Sequence, residues 1–400
     1  MHLIKVVMLA NSVYHYHRAR ADAFAGIWPG TFAVLALSDM DALPVLDADD
    51  CDVAQVTTLF SGVRIAQIEN SALRIAIPTF LEAVRPDVCC LNGWGLPGTA
   101  AMLGWAIRHR IPCVLMSETN KHDSANAWWR EETKRRFVSH CSAALVGGAW
   151  HRDYLIQLGM SSECVFDGYD AVDNEHFRAG AERARLDPDR ARACLNLPCD
   201  YFLACARFEP KKNLRGLIEA YGRYVRQAGP EPWRLVVVGD GPSRADLVSL
   251  ATELGVGEQV VFKGLAGYEE LPGIYGLAKA FVHASTTEQW GLVVNEAMAA
   301  GLPVLVSDRC GCVSELVKDG VNGFIFNPRD TEGIAQRMLL IHQDGSLLHR
   351  MGQQSAAIIA EWGVERFARN LSRAVEFALD RGPRKSGVIS RAVVSLMAAS

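Results

Sequence analysis

The sequence predicts an α/β chain made of two doubly wound, parallel-sheet domains. Three observations carry this. The first half alternates strand-like and helix-like segments, the same rhythm restarts near residue 200, and a charged, Ala-rich stretch at 178–198 separates the two series. Continuous apolar strand runs belong to parallel sheets buried on both faces, and strand–helix–strand order implies crossover connections. Four hundred residues suit two or three domains of ordinary size.

Leu3 to Ala10 reads as the first buried strand, Ala19 to Phe24 as helical, and Thr31 to Leu37 as a second strand. Asp87 to Leu91 is another strand, followed by the Gly-rich turn Asn92-Gly-Trp-Gly95. Leu96 to His109 reads as a helix, Pro112 to Met116 as a strand, and Ala143 to Val146 as a further strand before Gly147 and Gly148. The second series runs from Tyr201 through Leu235–Val238, Gln259–Phe262, Ala280–Ala284 and Val304–Val306. Expected bounds are 1–177 for the first domain, 178–199 for an interdomain linker and 200–363 for the second domain. A terminal amphipathic helix at 364–380 and a basic tail at 381–400 complete the chain. The tail reads either as disordered or as a basic surface anchor.

Half of the residues are hydrophobic and 22% are charged, so the chain can bury a large core. A net charge of −4 gives no electrostatic reason to expect nucleic acid as a partner. Eleven cysteines show no paired C-x-x-C spacing, which argues against a zinc cage or a disulfide framework and fits a reduced, cytoplasmic setting. No secretory leader is legible, and no apolar run of about 18 residues marks a membrane span. Peripheral contact with a membrane face stays open.

Chemistry concentrates in Glu288-Gln-Trp-Gly-Leu-Val-Val-Asn-Glu296. A glycine turn opening a helix offers backbone N–H groups and the positive end of a dipole to an anion. Carboxylates on either side suit sugar hydroxyls rather than phosphate. Phosphate in the middle and polyols at both ends describe a nucleotide sugar. Arg207 and Lys212 follow a buried strand and supply the cations a diphosphate needs, Arg as a bidentate fork and Lys as a point charge. The apolar run after Glu296 makes that helix largely buried, and a buried carboxylate needs a partner.

This segment resembles the E-x7-E motif of retaining glycosyltransferases of the GT-B fold, family 4. Ala206-Arg-Phe-Glu-Pro-Lys-Lys212-Asn213 resembles that family's GR-(x)4-K-N/G segment. Leu235–Pro242, Val261–Leu265, Gly301–Asp308 and Gly320–Phe324 resemble further family segments in the same order. The resemblance implies two Rossmann-like domains facing each other across a cleft, with the last helix crossing back to the first. It implies that Glu288, Arg207 and Lys212 are catalytic. Glu296 would hold ribose, the turn Trp290, Gly291, Leu292 and Val293 would give amides to the diphosphate, and the loop at Leu265 would meet the base. The donor would be a UDP- or GDP-sugar, with no cofactor or metal required, and the acceptor a carbohydrate or a lipid-linked hydroxyl. Polysaccharide or glycoconjugate synthesis follows by analogy. Trp290 is a mild departure, since the family usually carries Phe or Tyr there.

The first half departs further. Tyr14-His15-Tyr-His17-Arg18-Ala-Arg20 stands where many relatives have a Gly-Gly loop, and resembles the Y-H-x-A-R version of some members. His15, His17 and Arg18 either reach the acceptor or sugar side or cap the helix. Glu118 stands near the place of a frequent sugar-contacting His. Trp128-Trp129 before Lys134-Arg-Arg136 can mark a lipid-linked or anionic acceptor site, but reads first as an amphipathic helix with Trp toward the core. Asp39-Met-Asp41 reads as a solvated loop, not a metal site. Rival readings are an inverting GT-B transferase, a sugar-nucleotide epimerase, or a non-catalytic sugar-nucleotide scaffold.

Overall fold

A computed structural model describes residues 3–40, 54–95, 97–121 and 128–385, together with 387, 390, 394, 396 and 397. Asp41, His122 and Asp123, and most of the tail beyond 385, lie outside these. The chain divides into two units, residues 1–171 with 364–400, and residues 172–363.

Among the described residues the first unit holds seven parallel strands: β1 (Lys5–Ala10), β2 (Thr31–Ser38), β3 (Gln55–Phe60), β4 (Val88–Asn92), β5 (Cys113–Ser117), β6 (Ala143–Val146) and β7 (Val165–Phe166). Their order is β3-β2-β1-β4-β5-β6-β7. Alternate residues feed opposite faces. Val7, Leu9, Leu91 and Leu115 enter one core, while Val6, Met8, Cys90 and Val114 enter the other. That two-residue period on a sheet covered on both sides explains the continuous apolar runs within β1, β2, β4, β5 and β6. The terminal helix Val364–Arg381 covers the second face. Phe367, Leu371, Ala374, Val375 and Ala378 form its buried stripe, and Arg366 anchors it by two bonds to Asp167, the shorter 2.8 Å.

The second unit has six parallel strands: β8 (Tyr201–Cys205), β9 (Arg234–Val238), β10 (Val260–Gly264), β11 (Ala280–His283), β12 (Val304–Ser307) and β13 (Gly323–Phe326), ordered β10-β9-β8-β11-β12-β13. The order reverses between β8 and β11, the switch point of a doubly wound sheet, where loops at the carboxyl ends diverge and leave room for a ligand.

The segment 178–199, expected as a linker, is mostly helical and belongs to the second unit. Helix Asn174–Leu186 buries Phe177 and Ala181, and Pro188–Leu195 follows it. The reason is close packing by small residues. A side chain at Gly180 would meet Pro272 Cβ at 2.4 Å, and one at Gly276 would meet Ala181 Cα at 2.6 Å. Such a contact needs no broad apolar stripe, so the sequence showed none. Among the described residues no helix is long and apolar enough to cross a membrane.

Candidate functional site

The loops after β8 and β11 are laced together. Thr286 N–H donates to Lys211 O at 2.8 Å. Asn213, held in the left-handed region at φ 52°, donates its side-chain amide to Ala284 O at 3.1 Å and Pro328 O at 2.8 Å. This lacing carries Lys212 to Glu288, and the ammonium pairs with Glu288 Oε2. His283 Nε2 lies 3.3 Å and Ser285 Oγ 3.2 Å from the same oxygen. Lys212 and Glu288 side chains are 12% and 14% exposed, so the pair is shielded but reachable. Burial alone would raise the Glu288 carboxyl. The hydrogen bond and charge of His283, then the Lys212 ammonium, outweigh it and hold Glu288 well below the ordinary carboxylate range.

From the other side, Glu288 N–H donates to Arg309 O at 3.2 Å and Gly311 N–H to Glu288 O at 3.1 Å. Gly291 then takes φ 107° and caps the helix Leu292–Ala299, a conformation that favours glycine. Trp290 is 1% exposed, so its ring anchors the turn rather than lining a surface. A buried indole N–H requires an acceptor, and Asn295 Oδ1 provides it at 2.9 Å. Trp290 is thus held by a buried Asn.

Glu296 is half-buried on the same helix and accepts from the Tyr275 hydroxyl at 2.7 Å. Desolvation pushes its carboxyl up to about 7, against the pull of that bond. Arg207 is 70% exposed and pairs with Glu209 at 3.0 Å. Leu265, after β10, is 72% exposed. Arg207, Lys212, Glu288 and Leu265 therefore all follow carboxyl ends of strands in one sheet. Lys212 and Glu288 meet directly, while Arg207 and Glu296 each bind a different partner.

The remaining predicted positions are in the first unit. His15, His17 and Arg18 lie in the first turn of helix His15–Ile27, which follows β1. His17 Nδ1 accepts from Tyr14 N–H at 3.3 Å, a cap of the helix start. Burial, then the Arg20 charge, push its imidazole down to about 3, so it is neutral. Arg18 pairs with Asp22 at 3.0 Å. Glu118 follows β5 and is half-buried. Trp128 and Trp129 are 81% and 54% exposed, contrary to the expected core-facing orientation. Their helix, Trp128–Val138, buries Phe137 and Val138 instead. Asp39 holds a turn through Ser61 and Gly62 N–H, the latter at 2.8 Å. Among the described residues no group of three or more His, Cys, Asp or Glu is placed to hold a metal ion. Sequence reading missed His283, Ser285 and Tyr275. A polar residue at the end of an apolar strand, five positions before Glu288, was the available signal for His283.

Residues 190–357 match the family model for glycosyl transferases group 1. The D-inositol 3-phosphate glycosyltransferase of Nocardia farcinica is 33% identical over 335 residues, which cover 76% of this chain and 72% of that relative. The chain belongs to the group 1 glycosyltransferases. The α-D-kanosaminyltransferase of Streptomyces kanamyceticus is 29% identical over 158 residues, 40% of each chain. The fold is GT-B. Sucrose-phosphate synthase from Thermosynechococcus elongatus superposes with a TM-score of 0.73 at 18% identity, covering 93% of this chain and 98% of its own. Anabaena HepE in complex with UDP gives 0.70 at 18% identity, covering 93% and 100%. This group 1 enzyme carries a Trp–Asn anchor in the turn between Glu288 and Glu296.

Proposed function

We propose that this glycosyltransferase is a retaining enzyme that moves a sugar from a UDP- or GDP-sugar to a hydroxyl of a carbohydrate or lipid-linked acceptor, in bacterial polysaccharide or glycoconjugate synthesis. The observation that carries the reading is the shielded Lys212–Glu288 pair beside the Gly291 turn. Charge grows on the departing diphosphate as the glycosidic bond breaks. Lys212, the exposed Arg207 and the amides of Gly291, Leu292 and Val293 stabilise that charge more than the ground state. Glu288, held ionised, accepts from the donor sugar's hydroxyls, Glu296 from the ribose, and the Leu265 loop meets the base. The acceptor attacks on the face the diphosphate leaves, and the leaving phosphate takes its proton, so no separate strong base is needed. The UDP complex of HepE supports the donor class.

His283, 3% exposed and paired with Glu288, is the observation that favours a second reading, since inverting transfer or epimerisation would use a carboxylate-paired histidine. Its burial suits support of Glu288 better than attack on substrate. Ten free cysteines among the described residues fit a cytoplasmic enzyme. Exposed Trp128 and Trp129, with Arg130 stacked 5.0 Å from the Trp129 ring, fit contact with a membrane's inner face. The test is titration with UDP, GDP and ADP followed by NMR assignment of the product anomer. Retained configuration supports the reading, and inversion replaces it with the second.

A further inference from the structure

We propose that His283 is a positioning residue: its Nε2 proton is donated toward Glu288 Oε2, which fixes the carboxylate by one oxygen and leaves Oε1 for a hydroxyl of the donor sugar. What Oε1 meets rests on the transfer reading above. The proton on Nε2 does not.

The strand period sets the place of the imidazole. Ala280 and Val282 of β11 enter the core of the second unit, so Phe281 and His283 point to the opposite face. The two rings lie 13° from parallel with centroids 6.1 Å apart, and His283 is 3% exposed. Its Nε2 lies 3.3 Å from Glu288 Oε2 and 3.2 Å from Ser285 Oγ. Gly291 closes a third side. A side chain there would meet His283 Nε2 at 3.7 Å and Glu288 Cγ at 3.5 Å. The imidazole therefore sits against both the carboxylate and the glycine turn beside it.

Counting protons assigns the donor. Glu288 is held ionised, and a carboxylate only accepts. Ser285 Oγ has a single proton and donates it to Glu288 Oε2 at 3.2 Å, so it presents lone pairs to His283. Nε2 thus faces acceptors on both partners and must carry a proton. It is a donor to this network rather than a base waiting for one.

Lys212 pairs with the same Oε2. All three side-chain donors therefore converge on one oxygen. Among the described residues no group bonds Oε1, and the Glu288 side chain keeps 14% exposure, so Oε1 is the oxygen left to a ligand. An ammonium has three protons, and a diphosphate at the Gly291 turn competes for them. His283 and Ser285 hold Oε2 independently of Lys212, so Glu288 stays in place while the lysine turns to the leaving group. Cys310, from the loop after β12, also faces Glu288. Burial raises its thiol well above the ordinary value, so it stays neutral.

The experiment uses the full chain. First, long-range proton–nitrogen NMR of the imidazoles at alkaline pH locates the proton, the His283 signals being those that His283→Gln removes. A proton on Nε2 supports the bond. A bare Nε2 with the proton on Nδ1 overturns it. Second, turnover of UDP-glucose and GDP-glucose is compared in the wild type, His283→Leu and His283→Gln. Leu fills the space without a donor, and Gln keeps an N–H. His283→Leu lowers kcat about tenfold, the scale of one hydrogen bond to a charged group. Affinity for UDP stays unchanged, and His283→Gln recovers most of the rate. A Leu variant that matches the wild type or exceeds the Gln variant overturns the positioning role. Third, His283→Leu costs nothing further in a Glu288→Ala background. An undiminished tenfold loss there shows that His283 acts on substrate itself and overturns the proposal. Thermal shifts with UDP and GDP test the donor reading separately. Their absence overturns that reading, while the proton on Nε2 still decides the bond to Glu288.

Discussion

The Tyr275 hydroxyl donates to Glu296 Oε2 at 2.7 Å, within a setting whose burial pushes that carboxyl up to about 7. A half-protonated carboxyl cannot offer all its lone pairs to ribose. Nucleotide affinity is therefore expected to rise between pH 6 and pH 8, flanking the value near 7. Glu296→Gln removes the dependence. Tyr275→Phe moves the rise to higher pH, because the bond it deletes lowers the carboxyl. It also weakens binding at neutral pH about fivefold, or about 1 kcal/mol. The same shift makes the unliganded protein lose stability as pH rises from 4.5 through about 7. Calorimetric titration with UDP or GDP across this range checks both variants. A flat wild-type profile would exclude Glu296 from the nucleotide site.

Lys212 and Glu288 are expected to be needed for turnover rather than for folding. Lys212→Ala removes a cation that acts on the leaving group, and about 10²–10³-fold of kcat should go with it. Glu288→Ala should lose a similar factor. His283 and Ser285 remain beside Glu288 in the lysine variant, so its fold should persist. Nucleotide release from the donor sugar is the activity readout, and circular dichroism reports folding. Near-wild-type turnover in either variant would falsify the donor site. In stability, the double variant should lose less than the two single losses combined, since each single change strands one shielded charge.

How much of this was legible depended on distance along the chain. The strands β1, β2, β4 to β6 and β8 to β12 announce themselves because both sheet faces are covered. β3 did not, since Gln55-Val-Thr-Thr-Leu-Phe60 is a half-buried edge strand with no continuous apolar run. Helix Asn70–Val84 was also missed, although Leu73, Ile77 and Leu81 keep a four-residue spacing, because Pro78 interrupts it. Within the site, Glu288, Glu296 and Lys212 were readable from local spacing. The bond from Arg20 to Ala171 O in the first unit was not, because its partners stand 151 apart in sequence and leave no local signal of it.

The loop bearing Arg207 is held by close approach of backbones. Gly239 has φ 127°, and a Cβ there would lie 1.9 Å from Ala206 O. Gly239→Ala therefore displaces the loop between β8 and Lys212. The expected result is a melting temperature lowered by several degrees, from about 1–2 kcal/mol of backbone strain plus the collision. Donor affinity should fall with it. A variant with unchanged melting and affinity would show that this loop adjusts freely and does not fix Arg207.

The terminal helix is expected to be part of the first unit's folding core rather than an appendage. Leu371 is fully buried against Ala10, Met116 and Leu145 of the sheet within one core. Leu371→Ala should cost about 2–5 kcal/mol, the range for truncating a large apolar side chain in a packed interior. Arg366→Ala breaks its pairing with Asp167 at 2.8 Å, but both side chains are near a third exposed, so solvent screening limits its cost to about 1 kcal/mol or less. Urea unfolding of the two variants gives the comparison. Equal losses would mean that the ion pair, not the apolar stripe, docks the helix. If Leu371→Ala left the midpoint unchanged, the stripe from Phe367 to Ala378 would not be holding the helix against the sheet.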